Sequence, residues 1–285
     1  MMFFRHFCQR LQSVYSEGES KAVAFLVFHH LFGLSRTDVL MGRADDLTPE
    51  QRQALEPLAL RLENGEPVQY VLGTTEFCGL TLHVAPGVLI PRPETEELVD
   101  WVSHEAEQHK GNTPLRILDI GTGSGCIALA LAQRFPDADV TAWDISHEAL
   151  SIARDNASRL GLQVHFQHHD ALQEVDTDAD TPKFDIIVSN PPYICDSERE
   201  EMTTNVLDHE PHQALFVPDT DPLLFYRSIS ATALRQLNPG GALYFEINRR
   251  YGNATVQMMQ HMGFVDVQLR KDFMDNDRMV RGRVK

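Results

Sequence analysis

The 285-residue chain is short of positive charge: 25 Lys and Arg stand against 41 Asp and Glu, a formal net charge of -16 at pH 7. A field of that sign repels a phosphate backbone and argues against tight, sequence-independent binding to DNA or RNA. Cysteine is scarce too. Cys8, Cys78, Cys126 and Cys195 form no CxxC pair, which argues against a zinc site and for reduced thiols in a cytoplasmic protein; no metal ligands are expected. A long apolar run is also missing. The opening MMFFRHFCQR gives way at once to polar residues, and Ala22 to Leu34 is broken by His29 and His30, so neither a signal peptide nor a membrane span is expected. No internal repeat is visible. What is present, 42% hydrophobic and 23% charged residues, suffices for one large domain and a small one.

Residues 1–72 carry apolar positions spaced by three and four in Phe3 to Tyr15, Ala22 to Leu34 and Gln51 to Asn64, punctuated by glycines, which predicts a helical module. Thr48, Pro49 and Gln51 form a helix start: an N-cap, a proline at the first helical position and a capping-box partner. From Val68 to Ile90 the texture turns β-prone, including Tyr70 to Gly73, and residues 73–90 are expected to be a β-hairpin linking two domains. In Ile90-Pro91-Arg92-Pro93-Glu94, two prolines hold Arg92 extended before a helix reaching about His109. Residues 91–285 then alternate strand and helix, the pattern of an α/β fold with a doubly wound, mostly parallel sheet. Strands are expected at Arg116 to Ile120, Val140 to Asp144, Val164 to His168, Phe184 to Ser189 and Ala242 to Ile247. Helices are expected from about Gly125 to Phe135, His147 to Leu160, Pro222 to Leu237 and Gly252 to Met262. Val265 to Arg270 and Met279 to Val284 suit a final antiparallel pair. Asp176 to Lys183 reads as a solvated loop.

Two stretches carry chemistry. Gly121-Thr122-Gly123-Ser124-Gly125 joins the first sheet strand to its helix, and its missing side chains let a ligand lie against the backbone at a helix N-terminus. The spacing is GxGxG, not the G-x-G-x-x-G that fits a pyrophosphate. Asp144, ending the second strand, can accept hydrogen bonds from two ribose hydroxyls, and Asp170, ending the third, could face an adenine amino group. Together they indicate an adenosine-bearing ligand. The second stretch is Asn190-Pro191-Pro192-Tyr193. Two prolines cannot extend the strand before them, so the chain leaves the sheet at Asn190, with a carboxamide and proline carbonyls free at a strand's carboxyl end. Such acceptors suit a substrate nitrogen that brings two N–H donors, with Tyr193 packing on its flat amide. Glu246 is expected to cap the turn that follows it.

LDIGTGSG, the acidic end of the next strand and VSNPPY resemble the class I S-adenosylmethionine-dependent methyltransferases. GEPVQYVLGTTEFCGL (65–80), IPRPETEELV (90–99), HEPHQAL (209–215), DPLLFYRSI (221–229) and DNDRMVRGR (275–283) narrow the resemblance to the protein-(glutamine-N5) methyltransferases, PrmC/HemK. The resemblance implies a Rossmann-like fold with S-adenosyl-L-methionine held by Gly121 to Gly125 and Asp144, with Asp170 and Ala171 at the adenine and Asn190 nearby. It also implies catalysis by Asn190, Pro191, Pro192 and Tyr193 on the glutamine of the Gly-Gly-Gln loop of peptide chain release factors. Relatives carry a bulkier side chain at Ala171, so stacking on the adenine falls to a neighbour such as Leu172. The helical module would dock the release factor, and a cytoplasmic monomer acting on protein, without nucleic acid or membrane, is expected. Two alternatives stand beside this: a DNA or RNA amino-group N-methyltransferase using the same tetrapeptide, and a catalytically silent adaptor that keeps the fold.

Overall fold

The computed structural model describes residues 2–108, 114–175 and 183–285. His109, the expected end of one helix, and nearly all of the expected loop from Asp176 to Lys183 lie outside the described residues. In chain order the helices α1 (Met2–Leu11), α2 (Glu17–Phe32), α3 (Arg36–Leu40), α4 (Pro49–Glu63) and α5 (Val68–Leu72) precede a hairpin of β1 (Thr74–Phe77) and β2 (Leu80–His83). There follow α6 (Pro93–Ala106), β3 (Arg116–Ile120), α7 (Cys126–Arg134), β4 (Asp139–Asp144), α8 (His147–Leu160), β5 (His165–His168), β6 (Phe184–Ser189) and β7 (Ile194–Cys195). The chain ends with α9 (Thr204–His209), β8 (Phe216–Val217), α10 (Leu224–Gln236), β9 (Leu237–Glu246), α11 (Gly252–Met262), β10 (Val265–Lys271) and β11 (Asp277–Arg283). Among the described residues no helix is long and apolar enough to cross a membrane.

Two compact units result: Met1–Thr74 with Thr203–His209, and Thr75–Met202 with Glu210–Lys285. Two expectations are corrected here. The hairpin is no free linker, because Phe77, Leu80 and Leu82 are buried in the core of the larger unit. And α9, far away in sequence, belongs with the helical unit, where the Asn205 side chain hydrogen-bonds Tyr15. A third correction concerns Tyr70 to Leu72, which form α5 despite their β-branched and aromatic neighbours. Pro67 opens this turn and left-handed Gly73 closes it. Arg61 donates to the Tyr70 and Val71 carbonyls at 3.1 and 3.2 Å, so the helix end that would lack partners is satisfied. Val68 and Val71 then bury in the helical core, and packing overrides propensity.

That helical core is a cluster of phenylalanines around Phe28, whose ring lies 5.3–6.0 Å from those of Phe3, Phe4, Phe7 and Phe32. Capping boxes start α2 (Ser16/Glu19), α3 (Ser35/Asp38) and, as expected, α4 (Thr48/Gln51).

The larger unit is built on a seven-stranded sheet in the order β10-β11-β9-β6-β3-β4-β5. It is parallel except for β11, which runs antiparallel to both β10 and β9. The apolar runs alternate between two buried faces. Ile117, Ile186, Val188, Ala242 and Tyr244 pack with α6 and α7 on one side. Leu118, Ile120, Ile187, Leu243 and Phe245 pack with α10 and α11 on the other. Burial on both faces is why these strands read as continuous hydrophobic runs. β9 begins at Leu237, earlier than expected. Leu237 pairs with Phe184, and the register then jumps to Ala242 opposite Ile186, so the intervening Asn238-Pro239-Gly240-Gly241 bulges out, as a residue without an N–H requires.

This order places a switch point at β3. From it the chain steps outward to β4 and β5 on one side, then returns to lay β6 against the other. Loops leaving neighbouring strands in opposite senses open a crevice at their carboxyl ends. The glycine loop leaves β3 there and Asn190 leaves β6 there.

Candidate active site

A cavity of about 350 Å³ occupies that crevice. Of the expected cofactor and substrate residues, Gly121, Gly123, Asp144, Asp170, Ala171, Asn190, Pro191 and Pro192 line it, with Leu172. Thr122, Ser124, Gly125 and Tyr193 stand outside the lining. Gly121 and Gly123 hold φ of 76° and 55°, and a Cβ built on either would meet nothing within 4 Å, so their bare backbone faces open space. Gly125, at φ +85°, is different: its Cβ would press to 3.1 Å from Leu129 and 3.2 Å from Ala153, so it is needed for close packing against α7 and α8. Thr122 and Ser124 are buried and serve the loop itself. Thr122 donates to Asp119 Oδ2 at 2.6 Å, and the Ser124 carbonyl accepts from Asn156 at 3.0 Å.

Asp144 ties the loop to the next strand end. Its Oδ2 accepts from Gly123 N–H and its Oδ1 from Ser146 N–H, both at 2.8 Å. Burial raises its pKa, against the lowering effect of these backbone bonds. Each carboxylate oxygen keeps further acceptor capacity. Behind the loop, Asp119 is fully buried. Its Oδ1 has no partner among the described residues, and burial pushes its carboxyl up to about 7.

Asp170 lies two residues past the end of β5, and its Oδ1 accepts from Leu172 N–H at 2.9 Å, a turn that fixes the rim of the cavity. Ala171 leaves its side of the lining small. Phe225 and Ile229 of α10 supply apolar wall there, together with half-exposed Leu172. His169 was missed by the sequence reading. The residue lines the cavity, its ring sits 4.4 Å from Trp143, and its buried Nε2 has no partner among the described residues. Burial lowers its pKa, favouring the neutral ring, which has one donor and one acceptor nitrogen. A histidine following the strand-end His168 gave the sequence no distinguishing signal.

Asn190 is held from below. Ser189 donates to the Ile120 carbonyl at 2.6 Å, locking the ends of β6 and β3 together. The Asn190 Nδ2 donates to Thr95 Oγ1 at 3.2 Å, and the Thr95 hydroxyl donates to Glu246 Oε2 at 2.6 Å. Tyr193 donates its hydroxyl to Glu246 Oε1 at 3.0 Å. Glu246 therefore does not cap the turn after β9. Asn248 does so itself, accepting from Arg250 N–H at 2.9 Å. Burial raises the Glu246 pKa, opposed by its bond from Thr95, by Arg278 and by Tyr193. Two more of the quoted motifs meet across the fold: Arg92 pairs with Glu210 at 2.5 Å, and Glu210 also accepts from Ile90 N–H at 3.2 Å. Pro211, Gln213 and Ala214 then return to the cavity wall.

The arrangement offers a bare glycine backbone, a half-buried carboxylate with acceptor capacity, an imidazole ring and apolar walls, beside a carboxamide and two prolines. That set fits a nucleoside-bearing ligand next to an amide-sized acceptor site. The chain is also similar to known proteins. Residues 102–216 match the Methyltransferase small domain family and residues 3–73 the PrmC N-terminal domain family. The release factor glutamine methyltransferase of Bacteroides thetaiotaomicron is 47% identical over 95% of this chain and 95% of its own length. Those of Flavobacterium psychrophilum and Streptococcus pneumoniae are 43% and 41% identical, over 96% and 93% of this chain and 95% and 92% of their own lengths. Among solved structures, a methyltransferase from Pyrococcus furiosus matches with a TM-score of 0.50 at 19% identity, covering 72% of this chain and 89% of that one. A 16S rRNA methyltransferase of Thermus thermophilus, solved with AdoMet and guanosine, matches with a TM-score of 0.51 at 19% identity, covering 74% of this chain and 50% of that one. The solved structures share the fold, and the likeness in sequence over nearly the whole chain makes this protein a member of the release factor glutamine methyltransferase family.

Proposed function

We propose that this chain methylates the side-chain amide nitrogen of the glutamine in the Gly-Gly-Gln motif of a peptide chain release factor, acting as a cytoplasmic monomer. When bound, S-adenosyl-L-methionine supplies the methyl group. Gly121, Gly123 and Asp144 are the residues that would hold it, with His169, Asp170, Ala171 and Leu172 about the base. The glutamine amide belongs to Asn190, Pro191 and Pro192.

The observation that carries this reading is the direction of the Asn190 carboxamide. One N–H of its NH2 is donated to Thr95, which anchors the nitrogen on that side and leaves Oδ1 as the acceptor. A primary amide nitrogen is a weak nucleophile because its lone pair is delocalised into its own carbonyl, and holding it in place is the main task. The Asn190 Oδ1 and the Pro191 carbonyl can each accept one of its N–H bonds. Orientation of this sort is worth up to roughly 7–11 kcal/mol of barrier, and both acceptors favour the positive charge that grows on nitrogen as the new bond forms. The methylated amide then loses its proton to water without a dedicated base. Tyr193 supports this from outside the cavity lining, its hydroxyl on Glu246.

The cavity is lined by described residues of the larger unit, and the helical unit carries exposed Leu40 and Met41. We assign it to docking the release factor. The excess of acidic residues speaks for a protein substrate over a nucleic acid. Mass spectrometry of a release factor incubated with this protein and S-adenosylmethionine tests the reading: one added methyl on the Gly-Gly-Gln glutamine is expected. Methylation of nucleic acid alone, or no binding of S-adenosylmethionine in calorimetry, would overturn it.

A further inference from the structure

The reacting amide meets Asn190, but what sets the direction of Asn190 lies one step further from the cavity. A carboxamide can turn over at little steric cost, exchanging its oxygen for its NH2, and the choice is made by hydrogen bonding. Only one of the two orientations offers an acceptor to the substrate. Thr95 Oγ1 is the neighbour that decides. A hydroxyl has one proton, and that of Thr95 goes to Glu246 Oε2 at 2.6 Å, the short contact of a charge-assisted bond. With its proton committed, Thr95 can only accept from Asn190, which must then turn its NH2 inward, at 3.2 Å, and its oxygen outward.

We propose that Thr95 and Glu246 are positioning residues that fix the Asn190 carboxamide with its oxygen facing the substrate amide. The groups around Glu246 suit this task. Thr95 and Glu246 are about 2% and 1% exposed, so water does not compete for the bonds. Tyr193 donates to the second carboxylate oxygen, leaving Oε2 for Thr95. Burial, with Glu94, raises the Glu246 pKa, and the bonds from Thr95 and Tyr193 and the charge of Arg278, itself paired to Asp272 at 3.1 Å, act in the opposite direction, toward the ionised carboxylate. Without the carboxylate's demand the Thr95 proton could turn onto the Asn190 oxygen, and the carboxamide would present NH2 to a substrate NH2. The sequence places Thr95 in IPRPETEELV and Glu246 in a strand 151 residues later, so neither residue announces this role alone.

The inference rests on the reading that Asn190 binds the substrate amide, and the experiment separates the two. Wild type, Asn190→Ala, Thr95→Val, Thr95→Ser and Glu246→Gln are assayed as full chains for methylation of a release factor. Affinity for S-adenosylmethionine and thermal midpoints are measured alongside. Thr95→Val keeps the shape and removes the hydroxyl. It is expected to lower kcat by about 10- to 100-fold while KM for the release factor and cofactor affinity stay within about three-fold. Thr95→Ser, which keeps the hydroxyl, is expected to restore kcat to within about three-fold of wild type. Glu246→Gln keeps the volume but gives up the charge that commits the proton, and its kcat should fall between those of wild type and Thr95→Val. A wild-type kcat in Thr95→Val, or a Thr95→Ser as slow as Thr95→Val, overturns the proposal. Should Thr95→Val fail to fold, a wild-type kcat in Glu246→Gln overturns it instead. If Asn190→Ala itself keeps full turnover, the reading of the site has failed. If Asn190→Ala is inactive and Thr95→Val is not slowed, only the relay has failed.

Discussion

The helical unit and the larger unit are held by different kinds of contact. In the first, helix starts are closed by partners three residues apart, Ser16 with Glu19, Ser35 with Asp38 and Thr48 with Gln51, and the core is a cluster of phenylalanines around Phe28. In the second, the decisive bonds join residues far apart: Ser189 to Ile120 across 69 positions, Ile90 to Glu210 across 120, and Thr95 to Glu246 across 151. The first therefore depends on side-chain volume and caps, the second on a few polar groups brought together by the sheet. Damage to one should be readable apart from damage to the other.

The largest separation is expected from Phe28→Ala. Removing a fully buried ring costs about 3–5 kcal/mol, seen in chemical denaturation as loss of the helical unit's stability, while S-adenosylmethionine affinity in calorimetry stays near wild type. A parallel loss of cofactor affinity would break the comparison. Close behind, Asn190→Ala leaves both cores untouched and should lower kcat by on the order of 10²–10³, about 2.7–4 kcal/mol of barrier. Cofactor affinity should remain within a few-fold, and single-turnover methylation of a release factor is the measurement. Asp144→Ala sharpens the division inside the larger unit. It removes a half-buried carboxylate that accepts from Gly123 and Ser146, and should weaken S-adenosylmethionine binding by about 1.5–3 kcal/mol, with little effect on the unliganded melting of the helical unit. The smallest effect is assigned to Thr48→Ala, the loss of one N-cap in the helical unit. It should cost about 1 kcal/mol of stability in a denaturation curve, with unchanged kcat; a drop in kcat would show that helix α4 is coupled to the chemistry.

Local signals in the sequence match the structure. The strands Arg116–Ile120 and Phe184–Ser189 and the helices His147–Leu160 and Gly252–Met262 have the bounds their periodicity and turn residues give. Local signals mislead at Tyr70 to Leu72, where Arg61 and the helical core override β propensity, and at Glu246, whose partners are Thr95 and Tyr193 and not the turn that follows it. His169 at the cavity wall, and α9 in the helical unit, were not found because nothing beside them in sequence marks either role.

By itself the sequence determined the alternation of strand and helix, the glycine loop after the first sheet strand and the two prolines that force the chain out of the sheet at Asn190. Hydrophobic period, glycine freedom and the missing proline N–H act over a few residues, so no partner is needed to read them. Tertiary structure alone decided which way the Asn190 carboxamide points. That choice depends on where one hydroxyl proton goes, and the carboxylate that takes it is brought to Thr95 only when β9 is laid beside β6.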